Sequence, residues 1–130
     1  MKRIRMDWQK VNQITLTIFA PLLILTGVAG FLVPAQYSPT SGAAPYNMFH
    51  IVCGAIGLLL ISIKNDLLVC MFNLVFGALD LYQVIASFLG LTPKQYFMWT
   101  PLDDLLHVIL GFALVIIGYQ GIRQMRTAGG

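Results

Sequence analysis

A chain of 130 residues that is 58% hydrophobic and only 10% charged has too few polar side chains to coat a water-facing surface, so the solvent it is built for is lipid. Its formal net charge of +3 does not signal a nucleic-acid partner, because the basic residues flank apolar stretches instead of forming a patch. These two facts exclude a soluble enzyme with a water-filled cleft and leave the number of membrane crossings as the first question.

A span needs roughly 20 mostly apolar residues, and four stretches qualify, at 14–33, 46–63, 67–91 and 102–122. The stretches run apolar without alternation, and four strands cannot close a barrel, so helices are the only solution in lipid. The predicted class is an all-α membrane protein, one domain over 1–130, crossing the bilayer four times.

The first stretch follows a basic arm of Lys2, Arg3, Arg5 and Lys10. Such an arm also resembles a secretory signal, but the run is longer than a signal core and is expected to stay as a span. Within it, Ala20-Pro21 predicts a kink. The connection at 36–44 carries Ser38-Pro39-Thr40-Ser41-Gly42, a cluster of turn formers.

The second stretch contains Asn47, His50, Gly54 and Gly57, and ends at the short Lys64-Asn65-Asp66 turn. In the third, Asn73, Gly77, Asp80, Gln83 or Val84, and Ser87 recur at helical spacing and predict a polar stripe down one face. Asp80 falls near the helix midpoint, where a carboxyl is costly and usually faces the bundle interior. Phe72, Phe76 and Phe88 are candidate docking side chains. Cys53 and Cys70 sit at different depths, too far apart to bridge, and read as small apolar packing residues.

The connection at 92–100 leads into Thr100-Pro101-Leu102-Asp103, which sets a hydroxyl at the N-cap, proline in the first turn and a carboxylate three residues after the cap. Asp103 and Asp104 therefore have a structural role available at the positive end of the helix. Arg123 and Arg126 follow the last stretch. With Lys64 and the N-terminal arm, seven of the eight basic residues fall on one side and only Lys94 on the other, so both termini are expected in the cytoplasm of a cell inner membrane. Tyr37, Tyr46, Tyr96, Phe97 and Trp99 then form an outer aromatic belt, with Trp8 and Tyr119 near the inner boundary.

The chain also repeats itself. Tyr46-Asn47-Met48-Phe49-His50-Ile51-Val52-Cys53-Gly54 lines up with Asp103-Asp104-Leu105-Leu106-His107-Val108-Ile109-Leu110-Gly111, and Gly30-Phe31-Leu32 lines up with Ser87-Phe88-Leu89 in the same register. The duplicated unit is a helical hairpin. Two hairpins in the same orientation predict a parallel repeat about an axis along the membrane normal. In each motif the Asn or Asp, the His and the Gly share one helix face, and Gly54, Gly57 and Gly111 are expected to let neighbouring backbones approach closely.

These paired motifs, Asn47 and His50 before Gly54, and Leu102-Asp103-Asp104 with His107 before Gly111, resemble an uncharacterised bacterial family of four-helix membrane proteins, domain-of-unknown-function family four-three-eight-three. Its members show a similar Asn-x-x-His-x-x-x-Gly on the second helix and Ala-Asp-Asn-x-x-His on the fourth. The resemblance covers the chain from about Thr26 onward; Leu102 and Asp104 depart from the family pattern. It implies the four-helix fold and no particular activity.

His50 and His107 each lie roughly 8 to 9 Å below the outer boundary at 1.5 Å per residue, so they occupy one layer. The structural reading is that each bonds the Asn or Asp one turn back, or a neighbouring helix. The chemical reading is a pair of ligands to haem b, the alternative cofactor where none is expected, or to a metal shared with Asn47 and Asp104, or contact with a quinone or pigment. A lone His pair falls short of the three or four ligands of a zinc site. Asp80 with the histidines could also form a proton or cation path. No nucleophile elbow, phosphate loop or CxxC occurs. The leading expectation is thus a small non-catalytic membrane protein, an accessory or assembly subunit packing against other integral membrane subunits or itself. The alternatives are a haem or metal carrier using His50 and His107, and a small proton-coupled transporter.

Overall fold

The computed structural model of the chain describes residues 4–129. Lys2 and Arg3 of the basic arm lie outside the described residues. Four long helices dominate: α1 (Trp8–Leu32), α2 (Ala44–Ile63), α3 (Asp66–Leu89) and α5 (Pro101–Gly129), with a short α4 (Lys94–Phe97) between the last two. There is no strand among the described residues. All four long helices have the length and apolar composition to cross a membrane, so this is an all-α, multi-pass membrane protein.

The helices outrun the apolar stretches at both chain ends. Asp7 caps α1, its carboxylate accepting from the Lys10 amide at 3.1 Å, so Trp8 and Lys10 belong to the first helix and not to an arm before it. At the other end α5 carries Arg123 and Arg126 on its surface. Lipid thickness sets how long an apolar run must be, but a helix can continue past it into the headgroup region wherever polar side chains still favour it. Pro21 does not interrupt α1.

Two hairpins are the dominant pairings, α1 along α2 and α3 along α5. Small residues let them close. A Cβ on Gly54 would sit 2.7 Å from the Ala20 carbonyl oxygen and 2.6 Å from the Ile24 side chain. A Cβ on Gly111 would sit 3.1 Å from the Gly77 carbonyl oxygen and 2.8 Å from the Leu81 side chain. Gly57 meets Ala20 in the same way, at 2.9 Å. Sequence reading missed Gly118, where a Cβ would sit 2.6 Å from the Leu74 backbone nitrogen. Without a hydrophobic force between helices in lipid, such backbone approach is a main source of attraction.

The hairpins meet through α1 against α3 and α5. Three apolar layers fill the space: Leu16, Ala20 and Val69; then Leu23, Phe76 and Leu114; then Tyr46, Ala86 and Trp99. Three aromatic expectations change here. Tyr46 and Trp99 are core residues, only 3% and 9% exposed, not members of a belt. Phe76 is buried and stacked on Phe72, ring centroids 5.7 Å apart, which leaves Phe88 as the exposed member of the candidate docking set. A residue count along a helix gives depth but not which way a ring turns.

Polar contacts tie the hairpins at both ends. At the end carrying the two termini, the Trp8 amide donates to Gln124 Oε1 at 2.8 Å and Gln13 donates to Asp66, the first residue of α3, at 2.9 Å. At the opposite, loop end, the Ser41 amide donates to Asp103 Oδ2 at 2.8 Å and Thr100 donates to the Pro39 carbonyl at 2.9 Å.

Candidate functional site

The polar residues singled out in the sequence are indeed interior: Asn47, His50, Asn73, Asp80, Gln83, Ser87, Asp103 and His107 are all buried. They fall into two sets. One set bonds other parts of the protein, although Asn47 Oδ1, Asn73 Oδ1 and Asp104 Oδ1 within it also lack a partner among the described residues.

Asp103 is the centre of that set. The predicted cap forms, with the Thr100 amide donating to Oδ2 at 2.8 Å and the Asp103 amide donating to Thr100 Oγ1 at 3.2 Å, a capping box. The same carboxylate also accepts the Tyr46 hydroxyl at 2.5 Å and the Ser41 amide, so it joins α5 to α2 and to the first loop. Asp104 accepts from Ser87 at 2.9 Å, and Asn47 donates to the Gly42 carbonyl at 3.1 Å. Nearer the termini, Asn12 donates to the carbonyls of Trp8 and Ile117 and accepts from Asn73 at 2.9 Å. Asn12 carried no signal in the sequence beyond being a lone amide in an apolar run.

The second set is not used up. Asp80 is 2% exposed; Oδ1 has only a long 3.5 Å contact from Gln83, and Oδ2 has no partner. Gln83 Oε1 accepts from the Trp99 indole N–H at 3.0 Å. The expected bonds from each His to the Asn or Asp one turn back do not form. His50 Nδ1 lies 2.8 Å from the Tyr46 carbonyl oxygen, which can only accept, so Nδ1 carries the proton and Nε2 is left as an acceptor. His107 Nδ1 has no partner.

These groups surround a cavity of about 240 Å³. Asp80, His50, His107, Tyr46, Thr26 and Thr40 supply its polar wall, and Phe19, Leu22, Leu23, Phe76, Leu106 and Leu110 its apolar wall. Leu22 and Thr26 of α1 and Leu106 of α5 are also exposed on the outer surface of the bundle. The cavity therefore opens sideways, between α1 and α5, toward the bilayer. The Tyr46 ring lies beside both imidazoles, with centroids 4.2 Å from His50 and 6.4 Å from His107. No group of three His, Cys, Asp or Glu side chains converges on a metal-sized site among the described residues. Cys53 and Cys70 are both free thiols.

No family model matches the chain, and neither a curated protein nor a solved structure does.

Proposed function

We propose that this is a small non-catalytic membrane protein that binds a ligand within the bilayer, in the cavity between its two hairpins. The observation that carries this reading is the pairing of that cavity with buried polar atoms that have no protein partner, Asp80 Oδ2 above all. Buried polar groups are nearly always bonded, and each exception calls for an explanation. Here the orphaned group lines a space large enough for another molecule to supply the missing partner.

Haem ligation by His50 and His107 fits less well. The cavity is smaller than the roughly 300 Å³ at the low end of sites for drug-sized ligands, a haem is larger than such ligands, and the Tyr46 ring packs against both imidazoles. The accessory-subunit reading remains a second proposal, favoured by the exposed stripe of Leu105, Ile109, Phe112, Ile116 and Tyr119 along α5. Two pairs of equivalent contacts support the internal repeat: Gly54 on Ala20 and Ile24 against Gly111 on Gly77 and Leu81, and Gly30 beside Asn47 against Ser87 beside Asp104. The terminal end, where Lys10, Lys64, Arg123 and Arg126 gather, is assigned to the cytoplasm, and labelling a Lys94→Cys variant from outside intact cells reports that orientation.

Native mass spectrometry of the protein extracted together with its own lipids tests the binding reading. The expected result is one small molecule per chain, lost in Thr26→Trp, which plugs the mouth. A protein that carries nothing, or carries the same species in both forms, overturns it.

A further inference from the structure

We propose that the ligand is a small organic cation, a protonated amine with an apolar body, and that Asp80 is its counter-charge. The proposal rests on the cavity being a binding site and names what the site selects.

Asp80 is the first argument. A carboxyl inside hydrocarbon has to be met by a proton, a hydrogen-bond donor or a cation. Among the described residues Oδ2 has no such partner, and no basic side chain bonds the carboxyl. Lys94, the basic residue of the loop end, is turned to the Ser87 carbonyl instead. An anionic ligand head would therefore find no basic side chain bonded at Asp80 to serve as its counter-charge.

The second argument is the sense of the remaining hydrogen bonds. His50 Nε2 is an acceptor because Nδ1 donates to the Tyr46 carbonyl. Thr26 has given its hydroxyl proton to the Leu22 carbonyl at 2.7 Å, which leaves Thr26 Oγ1 able only to accept. Tyr46 has given its own proton to Asp103. The free positions around the cavity thus mostly want donors, and an ammonium group is a donor on every side with nothing to accept.

The walls supply the third. Phe19 and Phe76 meet edge to face at the cavity, centroids 5.4 Å apart and planes at 74°, and Tyr46 lines it as well. Aromatic faces attract a cation positioned within about 6 Å, most strongly where water is excluded. Meanwhile the sideways mouth between Leu22 and Leu106 lets an alkyl or aryl body remain among lipid chains while the nitrogen reaches Asp80. An amine crossing the bilayer uncharged takes the proton of the acid form of Asp80: an N–H bond forms as the O–H bond breaks, and no net charge enters the membrane.

The test compares three probes with one tail and different heads, n-hexylammonium, n-hexanol and n-hexanoate, on the full chain in phosphatidylcholine nanodiscs at neutral pH. Binding is read by isothermal titration against empty nanodiscs, with the change in Tm as a second readout. The expected order is ammonium first, about tenfold or more tighter than the alcohol, a gap of roughly 1.4 kcal/mol, with hexanoate weakest. Asp80→Asn should bring the ammonium down to the level of the alcohol. Equal binding of ammonium and alcohol, or tighter hexanoate, overturns the cation assignment and leaves the cavity reading standing. Failure of all three to bind overturns both. The three-probe order on the unmodified protein decides the matter even should Asp80→Asn not fold.

Discussion

The two halves of the bundle satisfy their buried polar residues to different degrees, although Asn73 Oδ1 in the terminal half also lacks a partner among the described residues. Toward the termini, Asn12 spends its whole side chain on Trp8, Ile117 and Asn73, and a Cβ on Gly121 would lie 2.5 Å from its amide nitrogen, so backbone closes directly over it. Toward the loops, beneath the tightly bonded Asp103, the carboxyl of Asp80 and the ring of His107 are just as deeply buried and yet lack partners. The contrast teaches that burial alone does not separate a structural polar group from a functional one in a membrane protein. What sets Asp80 and His107 apart is that their unpartnered atoms belong to residues lining a cavity, which Asn47, Asn73 and Asp104, each also with an unpartnered oxygen, do not.

Four substitutions would break or sharpen that contrast. The largest effect is expected for Asp103→Ala, which strands the Tyr46 hydroxyl and the amides of Ser41 and Thr100. A stranded buried donor costs roughly 1–3 kcal/mol, so a loss of about 3 kcal/mol or more is expected in detergent-driven unfolding, followed by the fluorescence of buried Trp99.

Next comes Asn12→Ala, which removes three bonds that average about 0.6 kcal/mol each in membrane bundles. A loss near 2 kcal/mol is expected in the same assay. A negligible change would mean that lipid-facing packing, not the amide layer, holds the terminal half together.

Asp80→Asn and His107→Leu should have the smallest effects, within about 0.5 kcal/mol, because neither native side chain gives up a well-made bond. Were either to cost as much as Asn12→Ala, the loop-end groups would be structural after all. The site reading would then lose its footing.

The four spans were legible because continuous apolar runs of that length have no other use, and the cap at Thr100 and Asp103 was legible because a capping box is local. The extra partners of Asp103 were not: Ser41 and Tyr46 reach it from sequence positions about sixty residues away, and nothing in either neighbourhood marks the pairing. The polar stripe through Asn73, Asp80 and Gln83 was readable from helical spacing, and all three are buried. The cavity beside Asp80 was not, since it depends on how far apart α1 and α5 stand. The bonding of His50 was misjudged for a similar reason. A backbone carbonyl one turn back competes with any side chain, and composition is blind to it.

The way the hairpins are joined bears on how the chain is made. Each hairpin closes on its own glycine contacts, and the ties between hairpins lie at the two ends, with a turn at Lys64 and Asn65 as the covalent link between them at the membrane edge. During synthesis the first pair of helices can leave the insertion channel as a finished unit before the second has been translated. Docking of the two is then a separate, later event within the plane of the bilayer. A gene cut between the codons for Lys64 and Asn65 would yield two polypeptides that retain every contact needed to find each other there.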